Sequence, residues 1–431
     1  MLEFAARREQ FLESIGDGVA FFPSAPLAVR NHDVEHPYRQ DSDFYYLTGF
    51  DEPESVLLLT NQHKEHRVVL FVRPRKRERE IWDGPRAGVE GAVERFGADV
   101  AFPIEELGQR LPDYLGNVER LHYRLAQNHD ADAKLFDCLN LLRRGERRGI
   151  TAPDTIIDPS VDLHEMRLRK SESELATMRQ AGAITREAHL RAMELARAGL
   201  HEYEIDAELL HVFRKHGSPR PAYESIVGSG PNATILHYRA GNRVLGDGEL
   251  VLIDAGCEYG YYASDVTRTF PVNGRFSKEQ RAIYELVLRA QKASIEAVKP
   301  GVTLQDIHDC AVRSITEGLV DTGLLEGDVD SLVEEKKYEP FYMHRTSHWL
   351  GMDVHDVGRY YVGGEHRPLE PGFVLTVEPG IYIAADAEEV DERWRGIGIR
   401  IEDDVAVTAV GYDVLTSGIP KEIDDVEAAC A

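Results

Sequence analysis

The chain has 431 residues, 75 of them acidic and 50 basic, for a formal charge of −25. That balance argues against the clustered positive surface that nucleic acid requires and against docking on anionic lipid. With 42% apolar and 29% charged residues, the composition is that of an ordinary water-soluble globular protein, long enough for two or three domains.

No apolar run reaches the roughly 18 residues that a membrane-spanning helix needs. The start, MLEFAARREQFLESIG, carries charges at every turn and lacks the apolar centre of a secretory signal. Cys138, Cys257, Cys310 and Cys430 are far apart, which suggests neither a disulfide framework nor a cysteine zinc site. A reducing cytoplasm is the expected location.

Along the chain, GVAFF (18–22), SVLLLT (55–60) and HRVVLFV (66–72) read as strands, being rich in β-branched and aromatic residues. The first part is thus a small α/β domain. TAPDTIIDPSVD (151–162), with its prolines and aspartates, is expected to link it to the rest. The expected domains are residues 1–165 and 166–431. Ser171 and Glu174 form a capping box ahead of Leu175, Met178 and Ile184, and this helix should stop by Gly199. Ile205, Leu209, Val212 and Phe213 mark a second helix ending near Gly217.

The second part contains a weak repeat. ARAGLHEYEI (196–205) resembles VKPGVTLQDI (298–307), and LGDGELVLIDAG (245–256) resembles LEPGFVLTVEPG (369–380). The unequal offsets place an insertion in the second copy, near 325–347. Each copy should be two helices followed by a β-hairpin, with Asp254 of one matching Glu378 of the other. A pseudo-twofold fold would bring both strand ends to one central site.

Three segments carry the chemistry. In VLIDAGCEYGYYASDVTRTF (251–270), Asp254 and Asp265 are symmetric about Tyr259-Gly260. A hairpin turning there would set the two carboxylates opposite each other, where their charges repel. One of them is then protonated or a cation sits between them, unless the hairpin is simply solvated. MHRTSHWLGMDVHDVG (343–358) supplies His344, His348 and His355. EPGIY (378–382) ends an apolar strand in Glu378, and RGIGIRIEDD (395–404) puts Arg400 and Glu402 on one strand face, as either an ion pair or part of a site. Recurrence of acids and histidines at separate strand and loop ends favours a shared metal site built from Asp254, Asp265, His348, Glu378 and Glu402. Four carboxylates call for two divalent cations, and the oxygen-rich set suits Mn²⁺ or a similarly hard ion. There is no HExxH, GxSxG, P-loop or GxGxxG arrangement.

These motifs, with ILHY (235–238), PYRQDSDFYYLTGF (37–50) and EIWDGPR (80–86), resemble the bacterial Xaa-Pro aminopeptidase (aminopeptidase P) family of the pita-bread superfamily. The resemblance covers nearly the whole chain. It implies an α+β protein whose C-terminal pseudo-twofold domain has a central antiparallel sheet, preceded by a smaller α/β domain. It implies that the five residues hold two metal ions, with Asp265 and Glu402 bridging both. It makes His237, His344, His355, Tyr223 and Tyr382 substrate-pocket residues and Arg400 their buried support. It implies that Trp82 reaches into a neighbouring subunit of a homodimer or homotetramer, and that Asp33 and Arg147 serve interdomain or subunit contacts. The family's pocket arginine before the EPG motif is matched by either Arg359 or Arg367. The implied activity is hydrolysis of the N-terminal Xaa-Pro bond of peptides by a metal-bridging hydroxide. In that reaction His355 stabilises the carbonyl oxygen, with His237 and Arg400 in the same catalytic group, and Glu378 moves the proton. Prolidase, confined to dipeptides, is the alternative. A dead peptide-binding relative would have lost ligands that this chain keeps.

Overall fold

The computed structural model describes residues 2–239 and 241–431. It divides into two compact units, Met1–Met166 and Arg167–Ala431.

In the first unit, apolar β-rich runs form a six-stranded mixed sheet. The three expected strands appear as Val19–Pro23, Val56–Thr60 and Val68–Val72, paired antiparallel at its centre. Val100–Pro103 adds in parallel on one side, and Arg120–His122 and Thr155–Ile157 add in parallel on the other. Phe21, Leu58, Val69 and Phe71 pack with Leu111, Leu135 and Leu139 from flanking helices. The stretch 151–162 is not a free linker. Its Thr155-Ile156-Ile157 core is the outer strand of this sheet, because β-branched residues between proline and aspartate breakers pair readily at an edge.

The second unit is α+β and repeats itself as expected. Helices Glu172–Leu195 and Glu202–Lys215 precede the hairpin Leu250–Asp254/Thr267–Pro271. Helices Lys278–Ala297 and Leu304–Asp321 precede the antiparallel pair Val374–Val377/Asp403–Val407. The matching is local as well. His201 with Glu204 and Thr303 with Asp306 are the same capping box at the start of the second helix in each copy. The predicted Ser171–Glu174 box starts the long helix. Gly199 and Gly217 follow their helices at φ +95 and +87. The extra length of the second copy includes a short helix, Val329–Glu334, followed by the buried Tyr338, Phe341 and Tyr342, which join the main core.

The two halves meet where their strands end. The Glu402 amide donates to the Thr267 carbonyl at 3.1 Å, and the Thr269 hydroxyl donates to the Arg400 carbonyl at 3.1 Å. The segment around His348 lies alongside the strand end. The Thr376 amide donates to the His348 carbonyl at 3.0 Å and the Glu378 amide to the Thr346 carbonyl at 2.9 Å. Trp349 is fully buried between the rings of Tyr360 and Phe373. Removing so large a core side chain typically costs about 3–5 kcal/mol, so the histidine segment is firmly fixed. All four cysteines are unpaired. Among the described residues no helix is long and apolar enough to cross a membrane.

Candidate metal centre and cleft

The hairpin carrying the two aspartates is offset by two residues from the expected register. Asp254 pairs with Thr267, and the chain turns at Gly260-Tyr261, both at positive φ, as a tight two-residue hairpin turn requires. Asp265 therefore does not face Asp254 squarely but lies diagonally from it, opposite Gly256. A Cβ on Gly256 would sit 1.7 Å from the Ser264 carbonyl, so glycine is what lets the strands close there. The carboxylates still converge. The Tyr223 hydroxyl is in hydrogen-bond contact with both Asp254 and Asp265, and with one proton it donates to one at a time.

Around this pair the second half supplies the remaining groups. Ligand atoms of Asp265, His348 and Glu402 all lie within 4.8 Å of one another. His348 Nε2 is 3.4 Å from Asp265 and 3.5 Å from Glu378. Its Nδ1 lies 3.0 Å from the Trp349 carbonyl, which places the proton on Nδ1 and aims Nε2 at the acids. Thr376 donates to Glu378 at 3.1 Å, and Thr267 donates to Glu402 at 2.6 Å. Arg400 and Glu402 are not an ion pair with each other. The Arg400 guanidinium reaches Asp254 at 2.6 Å, the Tyr382 hydroxyl at 2.9 Å and Thr267 at 3.0 Å. Tyr382 in turn lies 2.9 Å from His344 Nε2, whose Nδ1 is 2.9 Å from the Arg345 carbonyl. That fixes His344 as donor to the carbonyl and acceptor from Tyr382.

The electrostatics show a charge deficit. Burial raises Glu402 well above the ordinary carboxylate range, and the charges of Asp265, Glu378 and Asp254 push the same way. Burial lifts Glu378 to about 7 despite His348, and it raises Asp254 against the pull of Arg400. At Asp265 burial acts upward too, but the hydrogen bond and charge of His348 outweigh it and the carboxyl ends low. His348 shows the reciprocal effect: burial lowers it, yet Asp265 and Glu378 carry it to about 9. Four acids with a single histidine and a shared arginine are short of positive charge. Oxygen-rich donors with an oriented imidazole are what a hard divalent cation takes, so these residues fit such a group.

The acids form the floor of a cleft of about 790 Å³. Tyr223, His237, His344 and His355 line it. His355 is solvent-facing, its ring perpendicular to that of His348 with centroids 4.5 Å apart. Burial and the nearby His348 charge lower its pKa, so it stands neutral and can donate. Tyr382 is buried beneath the cleft, linking Arg400 to His344. Trp82 belongs to the first unit. It stands 84% exposed on the helix Arg77–Asp83 of the first unit, where Asp33 and Arg147 are also exposed. Neither candidate for the pocket arginine belongs to the cleft wall. Arg367 is buried with its guanidinium 5.0 Å from the Phe373 ring centre, and Arg359 points to solvent. The arginines lining the cleft, among the described residues, are Arg239, Arg345 and Arg400.

Two supporting groups escaped sequence reasoning. Thr267 connects Arg400 to Glu402. Asp404 accepts from the Ser264 hydroxyl at 2.9 Å and from the Asp265 amide at 3.1 Å. Strand alternation carries the missed signal, since Asp404 is two residues beyond Glu402 and faces the same side.

Residues 176–409 match the Metallopeptidase family M24, and residues 4–122 match the Aminopeptidase P, N-terminal domain. A Xaa-Pro aminopeptidase of Escherichia coli is 47% identical over 428 residues, 99% of this chain and 97% of that protein. The solved structure of aminopeptidase PepP from Pseudomonas aeruginosa is 52% identical. It superposes with a TM-score of 0.98 and covers 100% of this chain and 97% of that one. A zinc-substituted Escherichia coli aminopeptidase P in complex with product is 47% identical with a TM-score of 0.96, covering 100% and 98%. With both of its domains matched in order and full-length relatives at this identity, the chain belongs to the bacterial aminopeptidase P family of M24 metallopeptidases.

Proposed function

We propose that this chain removes the N-terminal residue from peptides whose second residue is proline, with two divalent ions held by Asp254, Asp265, His348, Glu378 and Glu402. The observation that carries the reading is the convergence of those five side chains from separate strand and loop ends on the floor of one cleft, with three of the four carboxyls raised. The relatives named Xaa-Pro aminopeptidase, and the Escherichia coli aminopeptidase P structures in complex with substrate and with product, support the substrate class. Bound divalent ions supply an acidified water and polarise a peptide carbonyl. Mn²⁺ would suit the oxygen-rich donors, and Asp265 and Glu402, whose ligand atoms lie within 4.8 Å of those of His348, would be shared between the ions.

The chain's own groups do the rest. His355, neutral and facing the cleft, donates to the oxygen of the scissile carbonyl as negative charge develops on it. Glu378, on the cleft floor beside His348, is placed to pass a proton to the proline nitrogen. Arg400 pairs with Asp254 directly and, through Tyr382, holds His344 at the cleft. An Xaa-Pro bond has no N–H. The side of the cleft formed by Leu236 and Tyr238 packs on Ile226, Ala233, Leu252 and Tyr382, so an apolar wall stands where the proline ring would rest. Trp82, largely exposed with Ile81 beside it, fits a role in a neighbouring subunit of a homodimer or homotetramer. A division of labour between residues 1–165 and 166–431, and a cytoplasmic location, complete the reading.

Mass spectrometry of an Arg-Pro-Pro peptide incubated with the Mn²⁺-loaded protein should show release of arginine, and none from the Arg-Ala-Pro counterpart. Equal release from both would overturn the proline assignment. Cleavage of Arg-Pro alone would point to a dipeptidase.

A further inference from the structure

Four cleft-lining residues, Leu236, His237, Tyr238 and Arg239, sit in one irregular loop. The loop leaves the strand Ile226–Ser229, makes a short 3₁₀ turn at Gly230–Thr234 and continues through residues 235–239 outside any helix or strand. A segment of this kind has little stiffness of its own. What holds it is a carboxylate outside the cleft. Glu202, the first residue of the helix Glu202–Lys215, is completely buried. One oxygen accepts from the Ser229 amide at 2.8 Å, the Ser229 hydroxyl at 2.8 Å and the Asn232 side-chain amide at 2.9 Å. The other accepts from the Tyr238 hydroxyl at 2.7 Å and the Gly241 amide at 3.3 Å. Two of the five donors are on Ser229, where the strand ends, and three are on Asn232, Tyr238 and Gly241 beyond it, so they bracket His237 on both sides. Arg243 reinforces the arrangement by donating to the Ser229 hydroxyl at 2.8 Å.

The loop is also seated from below. A Cβ on Gly398 would lie 2.1 Å from the Ala233 carbonyl. The strand that carries Arg400 therefore packs closely beneath the same turn. A buried acid with five donors is satisfied. Glutamine in its place would present a donor amide to one set of those donors, leaving part of the loop unpaired.

We infer that Glu202 is a positioning residue for substrate binding: through its five hydrogen bonds it holds His237, Leu236 and Tyr238 as the wall against which the peptide is placed. It touches neither the candidate metal ligands nor His355. This rests on the reading of the cleft as a peptide site. The expected signature is a change in KM separate from kcat and from metal affinity.

The test compares the Mn²⁺-loaded wild type with Glu202→Gln and Asn232→Ala, the latter removing a single donor outside the cleft. On the Arg-Pro-Pro peptide, Glu202→Gln should raise KM at least about tenfold, the usual scale for charge-assisted hydrogen bonds. Its kcat should change little, and its Mn²⁺ affinity, measured by competition with a chelator, should be that of the wild type. Asn232→Ala should move KM in the same direction by less. A second readout needs no activity. Arg239 is 80% exposed, so trypsin should cut after it faster in Glu202→Gln than in the wild type, with the remainder of the chain equally resistant. Unchanged KM and unchanged cleavage after Arg239 in both variants would overturn the inference, as would parallel loss of kcat and metal. If the wild type fails to release arginine, the substrate reading falls, and the trypsin comparison alone decides whether Glu202 holds the loop.

Discussion

Glu402 and Asp403 are neighbours in the chain and both are almost completely buried, at 1% and 0% exposure. Their carboxyls are nevertheless shifted in opposite directions. Asp403 is enclosed by Arg268 at 2.8 Å, Lys421 at 2.7 Å, Gln291 at 2.8 Å and Thr416 at 2.9 Å. Burial raises it, but the two cations bring it below the ordinary range. Glu402, one residue earlier on the opposite face, has three other carboxylates around it and is driven far upward. Burial alone therefore does not distinguish a site from a structural ion cluster. The distinction is whether the protein itself supplies the counter-charge. At Asp403 the compensation is internal, whereas at Glu402 it is left to a ligand.

The sharpest way to break this comparison is to remove each acid. Glu402→Ala should abolish peptide release and lower bound metal below two ions per chain, measured by elemental analysis after gel filtration. Asp403→Asn should keep its metal but lose stability, since unbalancing a buried pair costs about 3–5 kcal/mol. At about 2–4 °C per kcal/mol for a domain of this size, the melting midpoint should fall by about 6–20 °C. An Asp403 variant that melted normally but lost metal would reverse the two assignments.

A smaller effect separates holding metal from using it. His355→Ala should retain full metal content while kcat drops about 10²–10³-fold, the typical value of one oxyanion donor. Loss of metal in that variant would place His355 among the ligands instead.

Chelation should lower stability, because metal binds the assembled site and not the unfolded chain. At 100 times its dissociation constant this is worth about 2.7 kcal/mol per independent site, or about 5–10 °C. The metal-free protein should also depend on pH in a defined direction. Glu378 at about 7 and the raised Glu402 and Asp254 bind protons more tightly folded than unfolded. Their destabilising effect is absent below the unfolded carboxylate range and grows as pH rises toward 7. His348, raised to about 9, contributes stability below about 6.5, lost as pH climbs through 9. Both trends make the chelated protein more stable near pH 5.5 than near pH 8, and scanning fluorimetry at the two values would check it. Identical melting with and without metal would mean that the carboxylates do not share one cavity.

The smallest expected effect belongs to Thr267, the hydroxyl between Arg400 and Glu402. Thr267→Val should weaken metal affinity by about 10–100-fold, as loss of an outer hydrogen bond to a ligand typically does. Activity at saturating metal should be largely kept, as titration with Mn²⁺ would show.

Much of this was legible from residues alone because the signals are local. The Ser171–Glu174 box, the strand runs of the first unit and the matched segments at 196–205 and 298–307 each depend on neighbours within a few positions. The candidate ligands were legible for a related reason: an acid at the end of an apolar run, as at Asp254 or Glu378, is costly unless something compensates it. Other features were decided by partners far away in the chain. The stretch 151–162 became an edge strand because Arg120–His122 offered it a ladder. The aspartate hairpin shifted its register by two residues because Gly260 and Tyr261, and not Tyr259 and Gly260, make the turn. Which of Glu402, Asp403 and Asp404 meets cations and which meets acids depended on where Arg268, Lys421 and Asp265 came to rest. The pull on a buried charge is set by whatever lies within a few ångströms of it, and that neighbourhood is assembled from residues more than 100 positions apart.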